Sequence, residues 1–278
     1  MSKQHNSHSR KSHHLSGRIL AIVLVIILGL IAIIGGNYKE HQRKADLKVS
    51  KIAYDKAQAK EKEYNRTHSI YSKDWLPSKK YYKANRGNLT YSPMGDSLTD
   101  GFYASTEDKK FTSLFSDYLN KGLGYSVNLE GVSGYGGLSS NGVRGVSQVI
   151  NQDPDLVSIE YGTNDADPKR KVKPDTLKKN LTTIVEHLNS MDRPPKIFFI
   201  TTWKTDHTGT YDAAIKSVAK KYKLPVVDIS EFYLEDKTSG PKGKKVYKGT
   251  SDDFHPNDLG MQLIARRMYN KTNAYIVK

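Results

Sequence analysis

The chain has 278 residues, 37% of them apolar, no cysteine, and a formal charge of +15. That length buries a full core without staples, and the missing thiols exclude both a disulfide scaffold and thiolate metal sites. Residues 1–88 hold 18 of the 44 Lys+Arg and 6 of the 29 Asp+Glu, so +12 of the charge sits there and +3 remains for residues 89–278. So balanced a C-terminal part excludes a nucleic-acid face, which would show as a basic stripe on the folded domain.

Residues 1–18 are rich in Ser, His and Lys/Arg, the composition of a disordered basic tail. From Ile19 to Ile34 every residue is apolar or glycine, and Gly35-Gly36 extends the run. At about 1.5 Å per residue it spans, with its flanks, a hydrocarbon layer of about 30 Å. Lys3, Arg10, Lys11 and Arg18 precede it, which predicts a transmembrane signal-anchor over 19–36 with a cytoplasmic N-terminus and everything after it outside. Cleavage as a secretory signal is the alternative; the length of the run and the lack of an Ala-x-Ala pattern directly after it favour retention. Residues 37–88 are expected to form an extracellular stalk of good helix formers, closing with aromatics from Tyr71 through Trp75 to Tyr82 that suit docking against a folded body.

From Leu89 onward short β-rich runs alternate with helical patterns, the sign of βαβ units and a parallel sheet. Strands are predicted at 89–94, 125–129, 156–161, 196–202 and 225–229. Helices are predicted near 109–121, 140–150, 174–190 and 211–222, with a last one after Pro256. Leu177, Leu181, Ile184, Val185 and Leu188 recur at helical spacing and predict the buried stripe of the third helix.

Gly95-Asp96-Ser97-Leu98-Thr99-Asp100-Gly101 follows the first strand and reads as strand, tight turn, helix, with Ser97 at the carboxyl edge where open α/β sheets keep their ligands. Gly131-Val132-Ser133-Gly134 follows the second predicted strand, Gly162-Thr163-Asn164-Asp165 the third, and Asp252-Asp253-Phe254-His255-Pro256 lies near the C-terminus. Each is ordinary turn chemistry taken alone.

Together, in this order, the four blocks resemble the SGNH (GDSL) hydrolase family over about residues 89–278. The resemblance implies a flavodoxin-like three-layer α/β sandwich with a five-stranded parallel sheet, and a serine esterase that needs no cofactor or metal. It implies Ser97 as nucleophile and His255 as general base, an imidazole being able to take and return a proton near neutral pH. Asp252, three residues earlier, is within reach of the ring to fix its tautomer, with Asp253 as competitor. The oxyanion donors carried over are the N–H of Ser97, the N–H of Gly134 and the side-chain amide of Asn164. Tyr135 and Trp203, with Tyr103, are candidate aromatic walls for substrate, and His207 is a further residue at the fourth strand's carboxyl edge.

The expected substrate is a carbohydrate or lipid ester, foremost O-acetyl groups of the cell envelope on account of the outward-facing anchor. Acyl transfer to a sugar hydroxyl through the same acyl-enzyme, and non-catalytic wall binding through the basic stalk, are the competing readings. The basic loop Lys237–Lys248 is either a solvated loop or a lure for an anionic polymer.

Overall fold

The computed structural model describes residues 69–203, 208–235 and 237–278, and in the N-terminal part 24–25, 28–30, 34–37, 39–44, 48–49, 51–52, 56 and 59. Two compact units divide the chain, Met1–Asn65 and Arg66–Lys278. In the first, the described residues are helical, and Leu24, Val25, Leu28, Leu30 and Ile34 among them are exposed. Most of the predicted anchor lies outside the described residues; among the described residues no helix is long and apolar enough to cross a membrane.

The second unit is an α/β sandwich on a wholly parallel central sheet. Its first strand is broken in two, β1 (Gly87–Tyr91) and β2 (Met94–Gly95), and so is the next, β3 (Tyr125–Leu129) and β4 (Val132–Ser133). The break falls at Ser92-Pro93, where proline has no N–H to give the ladder. β5 (Leu156–Glu160), β6 (Lys196–Ile200) and β7 (Val226–Val227) complete the sheet. β1 pairs with β3 from Gly87↔Tyr125 to Tyr91↔Leu129, β2 lies between β4 and β5, and β6 bridges β5 and β7. Seven short strands therefore occupy five positions, in the order second, first, third, fourth, fifth along the chain. The sheet reverses direction of growth between the first and third positions, the place where such folds open a crevice.

Helices α1 (Phe111–Leu123) and α5 (Asp258–Ile276) cover one face, burying Phe111, Phe115, Leu119, Ile264 and Met268. On the other face lie α2 (Ser139–Asn151), α3 (Pro174–Asn189) and α4 (Gly209–Tyr222). The five apolar residues of the predicted α3 stripe are all buried there, as the period requires. Residues 69–86 belong to this unit. Trp75 is buried with its ring 4.7 Å from Tyr118 and edge-on to Tyr269, and Arg266 donates to the carbonyls of Ile70 (2.7 Å) and Ser72 (2.9 Å).

One local expectation fails. No helix starts at Ser97: residues 97–103 form turns, and α1 begins only at Phe111. Gly101 takes φ +87°, a left-handed conformation that keeps these turns from continuing as a helix. No helix N-terminus therefore stands directly beside Ser97. A small hairpin, β8 (Lys245–Val246) with β9 (Gly249–Thr250), was not expected from the sequence.

Candidate active site

The Ser97 turn is held by its own backbone, Asp100 N–H donating to Asp96 O (3.0 Å) and Phe102 N–H to Ser97 O (3.0 Å). Gly95 is required here: a Cβ would stand 2.0 Å from Thr99 Oγ1 and 2.8 Å from the Glu160 carbonyl. At the far end of the sequence, Asp252 Oδ1 accepts the backbone N–H of Phe254 (2.9 Å) and of His255 (2.8 Å). Asn257 then caps α5 through Leu259 and Gly260 N–H. This stiff loop presents the imidazole to the turn. Ser97 Oγ lies 2.8 Å from His255 Nε2, and His255 Nδ1 lies 2.8 Å from Asp252 Oδ2.

Burial works against the Asp252 charge, but hydrogen bonds from the His255 and Phe254 N–H groups and the imidazole outweigh it and hold the carboxyl below the usual range. An ionised carboxylate has only lone pairs to offer, so Nδ1 carries the ring proton and Nε2 faces the serine as acceptor. Asp253 is occupied elsewhere, its Oδ1 accepting Lys242 N–H (2.9 Å).

Gly134 follows β4, which is in register with the strand leading to Ser97 (Gly95↔Ser133). A Cβ on Gly134 would meet no atom within 4 Å beyond its chain neighbours, so its backbone borders open space. Asn164 follows β5, and its amide Nδ2 donates to Asp96 Oδ2 (2.9 Å) and to the Gly137 carbonyl (3.1 Å). Both amide protons are thus engaged within the protein. Asp165 does not bond Asn164; it accepts Ser139 N–H (3.0 Å) and Oγ–H (2.5 Å), tying this block to the start of α2.

Of the expected aromatic walls, Tyr135 is 70% exposed, with its ring nearly parallel to the imidazole at 6.4 Å. Trp203 is a correction. It is fully buried, offers no face to a ligand, and acts as a strut: its indole N–H donates to the Phe254 carbonyl (2.7 Å) and its backbone N–H to Thr163 Oγ1 (3.1 Å). The Asn164 block and the His255 loop are joined through it. His207 lies outside the described residues.

Tyr103, a third expected aromatic wall, and two residues that the motifs did not single out, Phe102 and Glu160, shape the site. Phe102 stands 5.2 Å from Tyr135, ring to ring, and Tyr103 meets the imidazole edge-on at 5.0 Å. Glu160 lies buried under the turn, accepting Thr99 Oγ1–H (2.9 Å) through Oε2, while Oε1 accepts no hydrogen bond. Burial, then its proximity to Asp96, raises the Glu160 carboxyl well above its ordinary value; burial raises Asp96 to about 7. The two carboxyl groups interact: the Asp96 charge helps raise Glu160, and a hydrogen bond from Glu160 offsets part of the rise at Asp96. A sequence signal for Glu160 existed: it is the charged residue in the buried run Leu156-Val157-Ser158-Ile159-Glu160. Among the described residues no group of three or more His, Asp or Glu side chains is arranged to hold a metal ion.

A hydroxyl at the carboxyl edge of a parallel sheet, bonded to an imidazole that a carboxylate orients, defines the class of serine-dependent acyl hydrolases. Residues 94–263 match the GDSL-like lipase/acylhydrolase family, and the chain belongs to it. It is a serine hydrolase acting on esters. No curated protein matches the chain. Among solved structures it is similar to the psychrotrophic esterase EstA from Pseudoalteromonas sp. (16% identity, TM-score 0.56, 68% of this chain and 100% of that one). It is also similar to the acetyl xylan esterase AlAXEase (19%, 0.53, 66% and 98%) and to a lipase/acylhydrolase from Enterococcus faecalis (19%, 0.54, 67% and 96%). At these identities the likeness is one of fold.

Proposed function

We infer that the protein is a membrane-anchored esterase facing the cell exterior, which removes O-acetyl groups from cell-envelope carbohydrates through a Ser97-His255-Asp252 triad. The observation that carries this reading is the pair of 2.8 Å contacts joining Asp252, His255 and Ser97. His255 Nε2 takes the hydroxyl proton as Ser97 Oγ attacks the ester carbonyl. The N–H groups of Ser97 and Gly134 receive the oxyanion, and Asn164 joins them by exchanging its bond to Gly137 O for one to the oxyanion. The imidazolium, steadied by Asp252, returns the proton to the leaving alcohol, and a water activated by the same ring releases acetate and free serine.

The carbohydrate assignment is supported by the exposed Tyr135 ring beside the imidazole, a platform for a sugar face, and by the fold likeness to an acetyl xylan esterase. Anchoring by residues 19–36 is supported by the apolar run and by the exposed, helical Leu24, Val25, Leu28, Leu30 and Ile34. Cleavage of this segment would give a secreted form.

The test uses the full chain in detergent. It should hydrolyse p-nitrophenyl acetate, release acetate from O-acetylated xylan or wall fragments, and take a fluorophosphonate label; Ser97→Ala and His255→Ala should lose turnover with nearly unchanged Tm. Unaltered turnover in either removes the mechanism. A sugar acceptor diverting product from acetate to a new ester would assign acyl transfer instead. Because the chain has no cysteine, Lys73→Cys reports sidedness: labelling by an impermeant maleimide in intact cells is expected, and protection contradicts the outward orientation.

A further inference from the structure

A cavity of about 250 Å³ lies beside the site, with Tyr103 as the shared wall: the ring that meets His255 edge-on also lines the cavity. Its other walls are the loop from Lys237 to Ser251 and the start of α5. This loop is built rather than merely solvated. Asn257 Nδ2 donates to the carbonyls of Lys237 (2.8 Å), Ser239 (3.1 Å) and Gly240 (2.8 Å), and Ser251 Oγ ties Pro241 O (2.5 Å) to Lys244 N–H (3.0 Å).

Three charged side chains line the cavity: Lys237, Lys244 and Asp258. The carboxylate is spent, its oxygens accepting Ser105 N–H (2.8 Å) and Oγ–H (2.6 Å). Among the described residues no acidic side chain forms an ion pair with Lys237 or Lys244, whereas neighbouring Lys248 is paired with Asp100 at 2.5 Å. What remains uncompensated in the cavity is positive. A volume below the roughly 300–1,000 Å³ of a pocket for a whole ligand suits one charged group with its flanking atoms.

The cavity adjoins the imidazole, which hands its proton to the leaving alcohol, so it sits on the alcohol side of the ester. We propose that it is a subsite for an anionic group, a phosphate or a carboxylate, carried by the alcohol part of the substrate about one unit from the scissile ester. This rests on the esterase reading above and narrows it to anionic envelope polymers: a phosphodiester-linked polyol or a uronate-bearing polysaccharide.

The full chain in its Ser97→Ala form, titrated in detergent by calorimetry, distinguishes the sources. The probes are an O-acetylated glycerol-phosphate oligomer, an O-acetylated galacturonate oligomer and an O-acetylated xylan oligomer as the neutral control. At least one anionic oligomer should bind about tenfold more tightly than the neutral one, and the better of the two names the source. The advantage should vanish in the Lys237→Gln/Lys244→Gln variant and at about 0.5 M NaCl, and persist in Lys237→Arg/Lys244→Arg, which keeps the charge. Equal binding of all three oligomers, or an advantage surviving the glutamine substitutions, overturns the proposal. Wild-type protein that prefers an anionic oligomer yet leaves p-nitrophenyl acetate intact would retain the subsite and refute the serine-esterase mechanism.

Discussion

Glu160→Gln tests the buried acid pair beneath Ser97. Glutamine keeps the shape of a neutral carboxyl and can still donate to Asp96, so near pH 5 the variant should differ little from wild type. Both Asp96 and Glu160 have folded values raised above their unfolded ones. Below about pH 3 both states are protonated and the pair contributes no pH dependence. As pH rises through the unfolded values the unfolded chain loses protons that the native state keeps, so stability falls. Raising Asp96 from 3.8 to about 7 corresponds to about 4 kcal/mol, lost between those limits in both proteins. Glu160 adds about 1.4 kcal/mol per pH unit while it alone keeps its proton, and only in wild type. The difference between variant and wild type should therefore widen as pH rises from 5 to 7, with wild type losing the more stability. Urea unfolding of the full chain, followed by circular dichroism at pH 5, 6 and 7, measures it. A difference constant across that range would mean that Glu160 is already ionised in the native protein.

Asn164→Ala should lower kcat for p-nitrophenyl acetate by about 10²–10³; a loss under tenfold would take the oxyanion role from it. Asp252→Asn should leave the fold intact and reduce kcat by about 10³–10⁴, because the ring loses the partner that holds its tautomer; equal turnover would show that the carboxylate is dispensable. Trp203→Phe leaves the Phe254 carbonyl without its donor, which should cost about 1–3 kcal/mol in a denaturant titration. It should also lower kcat, and an unchanged midpoint would deny the strut. Gly95→Ala drives a Cβ into Thr99 and the Glu160 carbonyl and should cost about 1–3 kcal/mol or more, read as a fall in Tm.

The alternation of strands and helices, the buried stripe of α3 and the four blocks at strand ends were legible along the chain, because they depend on near neighbours: a period of 2 or 3.6, and turn residues after a β-rich run. Where the sequence misled, local rules were overridden from a distance. A helix was expected at Ser97 and Gly101 ended it; Trp203 looked like a wall for substrate because a large aromatic in a loop carries no mark of where its ring will point. It took the packed fold to show that Asp252 rather than Asp253 meets the imidazole, that Trp203 braces the loop before His255, and that Glu160 and Asp96 lie buried close enough to shift each other's titration. Those outcomes depend on pairs such as residues 97 and 255, brought together by sheet order and helix packing, and dehydration sets the charges only once the layers have closed over them.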